Sequence, residues 1–397
     1  MIYLDYQATT PLAPEAKAAM LPFLDEKFAN PHSPHKLGRE AAAAVEVARD
    51  RVLKALLPDR EPTPDNSAKL HRFGLLRDAE VEAGRLFFTS GATEAANWAI
   101  KGTWARRDRR RNRIVTVATE HACVLDTIRS LRADGAEVVE IPVDDGGVLD
   151  REAMLSAIDD KTVLVAVMLV NNEIGTIQDV APIGLAARSA EATMFCDAVQ
   201  GFGRIWVPIG ACDLVAVSAH KIHGPKGVGA LWVRPGFEPE PLMHGGGQEG
   251  GLRSGTLSPA LCAGFGAAAS VAHERTRRSE DERHVRKLFW RAISALGQEW
   301  KFNGSLNHHY HGNLNLRRDG LDAARLISEL REIAFSAGSA CASGSGRPSH
   351  VLKAIGLSDA QARSSIRLGF GRYTTEDDID TAARLIDEAA ARQRAFA

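Results

Sequence analysis

Seven short apolar segments, rich in valine, alternate with helix-like segments through the first two thirds of the chain. The apolar segments are RLFFTSG, RIVTVAT, AEVVEIPV, TVLVAVMLV, ATMFCDA, DLVAVSA and GALWVRP, and stretches such as ATEAANWAIKGTWARR and ACVLDTIRSLRADG lie between them. Several of these segments lack a period of two, as is typical of strands buried on both faces of a parallel sheet. The order predicts an α/β domain with a mostly parallel, seven-stranded sheet, running from about residue 15 to 260.

The rest of the chain predicts a second domain, because 397 residues are too many for one compact core. LCAGFGAAASVAHERTRRSEDERHVRKLFWRAISAL favours one long helix or a broken pair, and mixed helices and strands follow it. We therefore expect a smaller α+β domain built from residues 1–14 and 261–397.

Composition narrows the class of protein. The chain is 45% hydrophobic and 25% charged with a formal net charge of −1, so nothing favours a bulk attraction to nucleic acid or membrane. The start, MIYLDYQATTPLAPEA, lacks the pattern of a signal peptide. Five scattered cysteines match neither a disulfide framework nor a zinc site, so we expect no bound metal and a cytoplasmic location. Four of them, Cys123, Cys196, Cys212 and Cys262, are predicted to be inert core residues.

Three segments stand out by composition alone. Residues 57–84 are charged and rich in proline, which predicts an extended surface excursion. The arginine-rich run at 106–113 could hold an acidic partner or RNA, but in a chain with balanced charge a solvated helix end is the better interpretation. NHHYHG contains three histidines, yet it leads directly into the strand-like NLNL, which argues against a metal site.

Polar residues follow several of the predicted strands. Ser218, His220 and Lys221 come after DLVAV, where ligands of open α/β sheets bind. A partly desolvated lysine there can lose its proton and form a Schiff base, although a surface lysine is the commoner case. Asp197 ends another strand, where a carboxylate could pair with a protonated pyridine nitrogen or simply cap a helix.

Two further strand ends add to this pattern. Ala92 and Thr93 open a helix after FTSG, so free amides and the positive helix end could cradle a phosphate, or only cap the helix. His121 follows a third strand, where an imidazole could stack on a flat cofactor or be structural. Together, the four strand ends suit one ligand, the phosphorylated pyridine aldehyde pyridoxal phosphate (PLP).

The same segments, in this order, resemble the cysteine desulfurases, a branch of the class-V aminotransferase-like, fold-type I PLP enzymes. The similar stretches span nearly the whole chain and are YLDYQATTP, NPHSPHKLGRE, FTSGATEAAN, TEHACVLD, NNEIGTIQ, CDAVQGFG, SAHKIHGPKGVGALWVR, GGGQEGGLRSGT, NGSLNHHYHGNLNL, FSAGSACASGSGRPSHVLKAIG and SSIRLGFGRYTTEDDID. The resemblance implies a fold-type I PLP-dependent transferase.

The resemblance also implies a role for individual residues. Lys221 would hold the cofactor as a Schiff base, Asp197 would pair with the pyridine nitrogen, Gln200 would bond the ring oxygen, and His121 would stack on the ring and help to move protons. The phosphate would be held by Ala92, Thr93, Ser218 and His220. Thr256 would reach the cofactor phosphate of a neighbouring subunit, which implies a homodimer.

For the substrate, L-cysteine, the resemblance implies three further residues. Asn172 would contact cofactor or substrate, and Arg367 would bind the substrate carboxylate. Cys341 would be the nucleophile that takes the sulfur as a persulfide while alanine is released. It lies among Ala, Ser and Gly, and we expect Gly338, Gly344 and Gly346 to give its loop freedom to reach an acceptor.

Several alternatives remain open at this stage. Selenocysteine lyases share the thiol, another lyase or aminotransferase of this fold would not need Cys341, and a catalytically silent scaffold would not need the complete site. The sulfur acceptor is expected to be an iron–sulfur scaffold protein, with tRNA thiolation open, and Cys341 could share a cluster ligand role with such a partner. Gly250 stands where many relatives have an arginine, so one contact near the site could be missing.

Overall fold

A seven-stranded sheet forms the centre of the computed structural model, which describes residues 1–57, 84–338 and 348–395. Its strand order is β2-β8-β7-β6-β5-β3-β4. The strands are β2 (Arg85–Thr89), β3 (Arg113–Val117), β4 (Glu137–Ile141), β5 (Thr162–Met168), β6 (Thr193–Asp197), β7 (Leu214–Ser218) and β8 (Gly229–Val233). All seven coincide with the apolar segments of the sequence, which confirms the predicted sheet.

The sheet is parallel except at β8, which pairs antiparallel with both β2 and β7. Strands β4, β3, β5, β6 and β7 are joined by parallel pairings. Every residue of β5, β7 and β8 is buried, because helices cover both faces of the sheet. This burial explains why those segments lack a polar–apolar alternation.

Helices connect and cover the strands. Before and between the strands of the large sheet lie α1 (Pro14–Leu24), α2 (Lys36–Leu56), α3 (Ala92–Arg106), α4 (Ala122–Ser130), α5 (Arg151–Ala157) and α6 (Val180–Ser189). The C-terminal part contains α7 (Pro259–Arg277), α8 (Glu280–Leu296), α9 (Ala323–Glu329), α10 (His350–Ala354), α11 (Asp359–Arg363) and α12 (Glu376–Ala395). The predicted long helix is a broken pair, because Ser279 takes a left-handed conformation with φ +50° between α7 and α8.

A smaller sheet lies in the C-terminal part, in the order β12-β13-β10-β9. Its strands are β9 (Lys301–Phe302), β10 (Asn313–Arg317), β12 (Ser336–Ala337) and β13 (Ser365–Gly369). The N-terminal β1 (Ile2–Tyr3) pairs in parallel with β11 (Ile333–Ala334), so the first residues join this part of the molecule. A domain boundary near residue 260 stays a prediction.

The composition-based expectations have mixed outcomes. The arginine run is not merely solvated: Arg111 donates to the carbonyls of Glu191 and Ala190, and Arg113 pairs with Glu137 and Asp159. The excursion at 57–84 falls almost entirely outside the described residues. Among the residues that are described, no helix has the length and apolarity needed to cross a membrane.

The histidine-rich segment contributes His309 and Tyr310 to the core of the C-terminal part, whereas His308 is exposed. His309 is buried, its ring lies against Phe289 at 4.9 Å between centroids, and its Nε2 contacts the carbonyl of Asn313 at 2.7 Å. Burial lowers the pKa of His309 to about 4. No group of three or more His, Cys, Asp or Glu side chains in the described ranges could hold a metal ion.

The topology determines where a site can form. Because β2, β3, β5, β6 and β7 run in the same direction, their carboxyl ends meet at one edge of the sheet. Ligands of open α/β sheets bind at this edge. Each predicted cofactor or substrate residue from 92 to 221 ends or follows one of these five strands.

Candidate active site

Lys221 lies just beyond β7, at the end of a single 3₁₀ turn (Ala219–Lys221). Its Nζ donates to the carbonyl oxygens of Gln7, at 2.6 Å, and Ala8, at 2.9 Å. Arg204 donates to the carbonyl of Lys221 at 2.8 Å and so fixes the backbone behind it. The amine is therefore held at a defined position on the sheet edge.

Asp197 ends β6 and is buried, with only 6% of its surface exposed. Its Oδ1 accepts the amide of Val199 at 3.0 Å. Burial raises the pKa of Asp197, whereas the nearby charges of His121 and Lys221 act in the opposite direction. A buried carboxylate at this place requires a cationic partner.

His121 caps the N-terminus of α4, and its Nδ1 accepts the amide of Cys123 at 3.1 Å. Burial lowers the pKa of His121, with Asp197 acting against this shift. The shift favours the neutral imidazole, and the hydrogen bond that Nδ1 accepts from the backbone amide favours the tautomer protonated at Nε2.

The four cysteines other than Cys341 differ in how deeply they are buried. Cys196, Cys212 and Cys262 are buried, as expected, and burial raises the pKa of Cys262 to about 12. The prediction is wrong for Cys123, which is partly exposed and whose Sγ lies 3.0 Å from Nδ1 of His121. The short spacing of two residues at a helix start places this thiol beside the imidazole.

The turn after β2 brings Ala92 and Thr93 to the start of α3, with Gly91 as the helix cap. The first amides of a helix have no partner within the helix and attract anions. Gly229 of β8 packs directly on this turn, because a Cβ at Gly229 would lie 2.8 Å from Cα of Gly91. Gly229 also pairs with Ser218, so the turn and Ser218 lie together.

His220 follows Ser218 by two residues and contacts the N-terminal segment. Its Nδ1 is 3.2 Å from the hydroxyl of Thr9, and its carbonyl accepts both donors of Thr10 at 2.9 Å. Burial, followed by the charge of Lys221, lowers the pKa of His220 to about 4. His220 is thus a neutral hydrogen-bonding group.

Gln200 and Lys221 both donate hydrogen bonds to the carbonyl oxygen of Gln7. Nε2 of Gln200 donates to that oxygen at 2.9 Å, and Arg204 donates to Oε1 of Gln200. The side chain of Gln7 itself donates to the carbonyl of Gly312 at 2.7 Å, which links the N-terminal segment to the C-terminal part. Sequence reasoning selected no residue from YLDYQATTP, although this segment was among the similar stretches.

Arg367 in β13 and Asn172 after β5 are also brought together. Nη1 of Arg367 donates to the carbonyl of Asn172 at 2.9 Å, and Nη2 donates to Oδ1 of Asp5 at 2.8 Å. Only 1% of Arg367 is exposed. Glu173, the next residue to Asn172, is also buried, and burial raises its pKa to about 7.

A second buried acid, Glu120, was missed by the sequence analysis. Its side chain is fully buried, Oε1 accepts the amide of Met168, and Oε2 contacts no hydrogen-bond donor among the described residues. Burial, assisted by the negative charge of Asp197, raises the pKa of Glu120 well above its usual range. Its position directly before His121, at a strand end, was the available signal.

The remaining predicted residues lie apart from this group. Thr256 is exposed on the surface of the single chain, and no hydrogen bond or ion pair of its side chain is formed with the described residues. Gly250 has φ +67°, and a Cβ there would approach Nη2 of Arg85 to 3.0 Å, so this backbone favours glycine.

Cys341, Gly344 and Gly346 fall outside the described residues. Gly338 is described and differs from the expectation of a free hinge. Its amide donates to the carbonyl of Ser365 at 2.9 Å, and a Cβ would lie 2.7 Å from Cδ1 of Leu352. Close packing, rather than conformational freedom, therefore favours a small residue at this position.

Comparison with known proteins identifies the class to which this geometry belongs. The family model of aminotransferase class-V matches residues 80–382 of the chain. A cysteine desulfurase IscS from Rickettsia bellii is 43% identical over 97% of this chain and 90% of its own length. The corresponding protein of Rickettsia rickettsii is 42% identical over the same shares.

Solved structures agree with the sequence relatives. A NifS-like protein has a TM-score of 0.85 at 32% identity, covering 98% of this chain and 99% of the other. SspA, solved in complex with cysteine, has a TM-score of 0.77 at 32% identity, covering 94% of this chain and 100% of the other. The chain belongs to the cysteine desulfurases, the PLP-dependent branch of class V whose members its sequence and fold both match.

The residues at the sheet edge fit PLP. The ligand needs an amine for its aldehyde, an anion for its ring nitrogen and amides for its phosphate. Lys221 supplies the first, and buried Asp197 supplies the second. The start of α3, kept open by Gly91 and Gly229, supplies the third.

Proposed function

We propose that this chain converts L-cysteine to L-alanine and takes the sulfur on Cys341. In balance, L-cysteine and the Cys341 thiol give L-alanine and a Cys341 persulfide. The carbon–sulfur bond of the substrate breaks, and a sulfur–sulfur bond forms on the enzyme. The observation that carries the proposal is the meeting of Lys221, Asp197 and His121 at one sheet edge in a member of the desulfurase family.

Lys221 is the residue proposed to bind PLP and to move the proton of the substrate Cα. When bound, PLP supplies an electron sink for the bonds broken at the substrate. The carbonyls of Gln7 and Ala8 accept from Nζ, so the amine has a defined resting place when it is not covalently engaged. A neutral amine held in this way is suited to act as a general base, because the nitrogen that accepts the proton has a fixed position.

Asp197 and His121 are proposed to flank the ring. An anionic Asp197 would stabilise a protonated pyridine nitrogen. Burial alone raises the pKa of this carboxyl group, and the neighbouring cation would lower it again. His121, neutral and protonated at Nε2, can donate that proton or stack on the ring. Gln200, adjacent to Lys221 through Gln7, is proposed to bond the ring oxygen.

The phosphate is proposed to bind the amides of Ala92 and Thr93 with Ser218 and His220. Thr256 is proposed to reach the phosphate of a second subunit, because it is exposed on the isolated chain. A homodimer would also cover the apolar surface of Leu21, Leu24 and Phe28, whose exposed fractions are 52%, 64% and 76%.

For the substrate, we propose that Arg367 binds the carboxylate and that Asn172 contacts the amino acid or cofactor. The buried guanidinium retains N–H groups beyond those given to Asp5 and Asn172. After the reaction, the sulfur of Cys341 is proposed to pass to an acceptor such as an iron–sulfur scaffold protein in the cytoplasm, and Cys341 could then share a cluster with that partner.

The covalent role of Lys221 gives a direct test. Borohydride reduction of the PLP-loaded enzyme should fix the cofactor on the chain, raise its mass and bleach its visible band. In Lys221→Ala, this mass increase should disappear. Lys226→Ala is the matched control, because Lys226 is exposed five residues further on and should leave labelling intact. Labelling that persists in Lys221→Ala would overturn the assignment.

A further inference from the structure

Arg367 is held on two of its three nitrogens by groups of its own chain. Nη1 donates to the Asn172 carbonyl at 2.9 Å, and Nη2 donates to Oδ1 of Asp5 at 2.8 Å. The third nitrogen, Nε, is buried and has no acceptor among the described residues. A guanidinium has five N–H donors, so three remain for another ligand.

The unpartnered Nε indicates where that ligand binds. Leaving a buried donor of a charged group unsatisfied is costly, so this Nε calls for an acceptor from outside the described residues. Nε and an adjacent terminal nitrogen form a planar fork that matches the two oxygens of a carboxylate. The open edge of Arg367 therefore suits one carboxylate.

Asp5 is itself fixed. Its Oδ1 accepts the hydroxyl of Ser336 at 2.9 Å, and its backbone forms a β-bridge with Gly369, two residues beyond Arg367. The carboxylate is mostly buried, with 20% of its side chain exposed. Asp5 thus has one position relative to the guanidinium.

We propose that Asp5 is a positioning residue that orients Arg367, so that the Nε edge of the guanidinium faces the carboxylate of the amino-acid substrate. The inference rests on the proposed role of Arg367 as the carboxylate ligand. Asp5 does not touch the substrate in this account, and it acts through the arginine alone. Because the orientation serves ground state and transition state equally, its loss raises KM and leaves kcat nearly unchanged.

The test is the PLP-loaded full chain with Asp5→Ala. KM for L-cysteine should rise about tenfold, as the loss of one charge-assisted hydrogen bond implies, while kcat stays within about twofold. Asp5→Asn, which retains an acceptor and the size of the side chain, should fall between wild type and Asp5→Ala. It also carries the test if the alanine variant fails to fold. Ser336→Ala removes the support of Asp5 and should give a smaller rise of KM.

Two ligands, one with and one without a carboxylate, distinguish a loss of carboxylate binding from a general disturbance of the site. Binding of L-alanine and of L-alaninamide, which lacks the carboxylate, is followed by the change in the visible band of PLP. Asp5→Ala should weaken L-alanine about tenfold and leave L-alaninamide unchanged. An unchanged or lowered KM, or an equal loss for both ligands, would overturn the inference.

Arg367→Ala distinguishes a failure of the role of Asp5 from a failure of the role of Arg367. If it weakens L-alanine selectively and Asp5→Ala does not, only the role of Asp5 fails. If Arg367→Ala affects both ligands alike or neither, Arg367 is not the carboxylate ligand and the proposed function loses that assignment.

Discussion

Single buried side chains set the electrostatics of this site. Glu120 and Glu173 are carboxyl groups removed from water close to Asp197 and Arg367, and burial raises the pKa of both. The raised pKa of Glu120 reduces the negative charge that would compete with Asp197, the residue proposed to pair with the ring nitrogen. The fold thereby keeps negative charge at one place on the sheet edge.

Glu173 makes stability depend on pH. Its pKa rises from 4.5 to about 7 on folding, so the folded chain holds a proton that the unfolded chain has lost between these values. Stability therefore falls as pH increases from about 5 to about 7, by roughly 3 kcal/mol from this residue alone. Glu173→Gln should lack this fall. Urea unfolding of both proteins at pH 5 and pH 8 measures it.

One control variant makes that comparison specific. Glu329→Gln changes an exposed carboxylate of α9 and should retain the wild-type dependence on pH. Equal differences between pH 5 and pH 8 in wild type and Glu173→Gln would contradict the account.

Residues at strand ends could be predicted, whereas residues that act through burial could not. Lys221, Asp197 and His121 follow recognisable strands, so topology alone brings them to one edge. Asp5 and Glu173 lie far apart in sequence from Arg367, and no local pattern shows that Asp5 pairs with it or that Glu173 lies within reach of its charge. Only the folded chain reveals these contacts.

At the scale of elements, the close approach of β8 to the turn before α3 shapes the proposed phosphate site. Gly229 is the first residue of β8 and pairs with Thr89 of β2 on one side and with Ser218 of β7 on the other. A Cβ there would lie 2.7 Å from the carbonyl of Val217 and 2.8 Å from Cα of Gly91. Both are backbone atoms, which cannot move aside as a side chain can.

Gly229→Ala should therefore displace the turn that begins α3. We expect the affinity for PLP to fall at least tenfold, by a loss of about 1.4 kcal/mol or more of binding free energy. PLP titration of the apoenzyme, followed by its visible band, measures this change. Gly184→Ala is the matched control. Gly184 lies in α6 rather than at the start of α3, and a Cβ there would meet the carbonyl of Ala211 at 2.1 Å. It should lower stability without affecting PLP affinity in the folded protein, and equal losses of affinity would contradict the interpretation.

Element boundaries show where sequence patterns lose their predictive power. The strands of the large sheet could be predicted because burial on both faces leaves continuous apolar runs. The break at Ser279 could not be located, since no glycine or proline marks it. Gly338 was interpreted as a hinge, although its amide is hydrogen-bonded to Ser365 and its Cα packs close to Leu352.

The whole molecule is proposed to act as a dimer, and its apolar surface carries this prediction. Phe28 is 76% exposed in the single chain, close in sequence to the exposed Leu21 and Leu24. In solution the wild type should have twice the 42.8 kDa of one chain. Phe28→Glu should shift it towards the monomer and weaken PLP binding, because Thr256 would lose its partner site.

Sedimentation equilibrium and PLP titration measure these two effects together. Leu306→Glu, at a leucine that is 50% exposed in the C-terminal part, is the control and should remain dimeric. A wild type of one-chain mass at micromolar concentration would contradict the dimer, and full PLP affinity in a monomeric Phe28→Glu would contradict the role of Thr256.

The central claim is that sulfur leaves L-cysteine through Cys341. The most direct measurement follows alanine and sulfide together, from L-cysteine and a thiol reductant, with the PLP-loaded enzyme. Equal amounts of the two products are predicted, with both lost in Cys341→Ala and retained in Ser343→Ala, a change two residues away. Alanine and sulfide formed by Cys341→Ala at the wild-type rate would contradict the account.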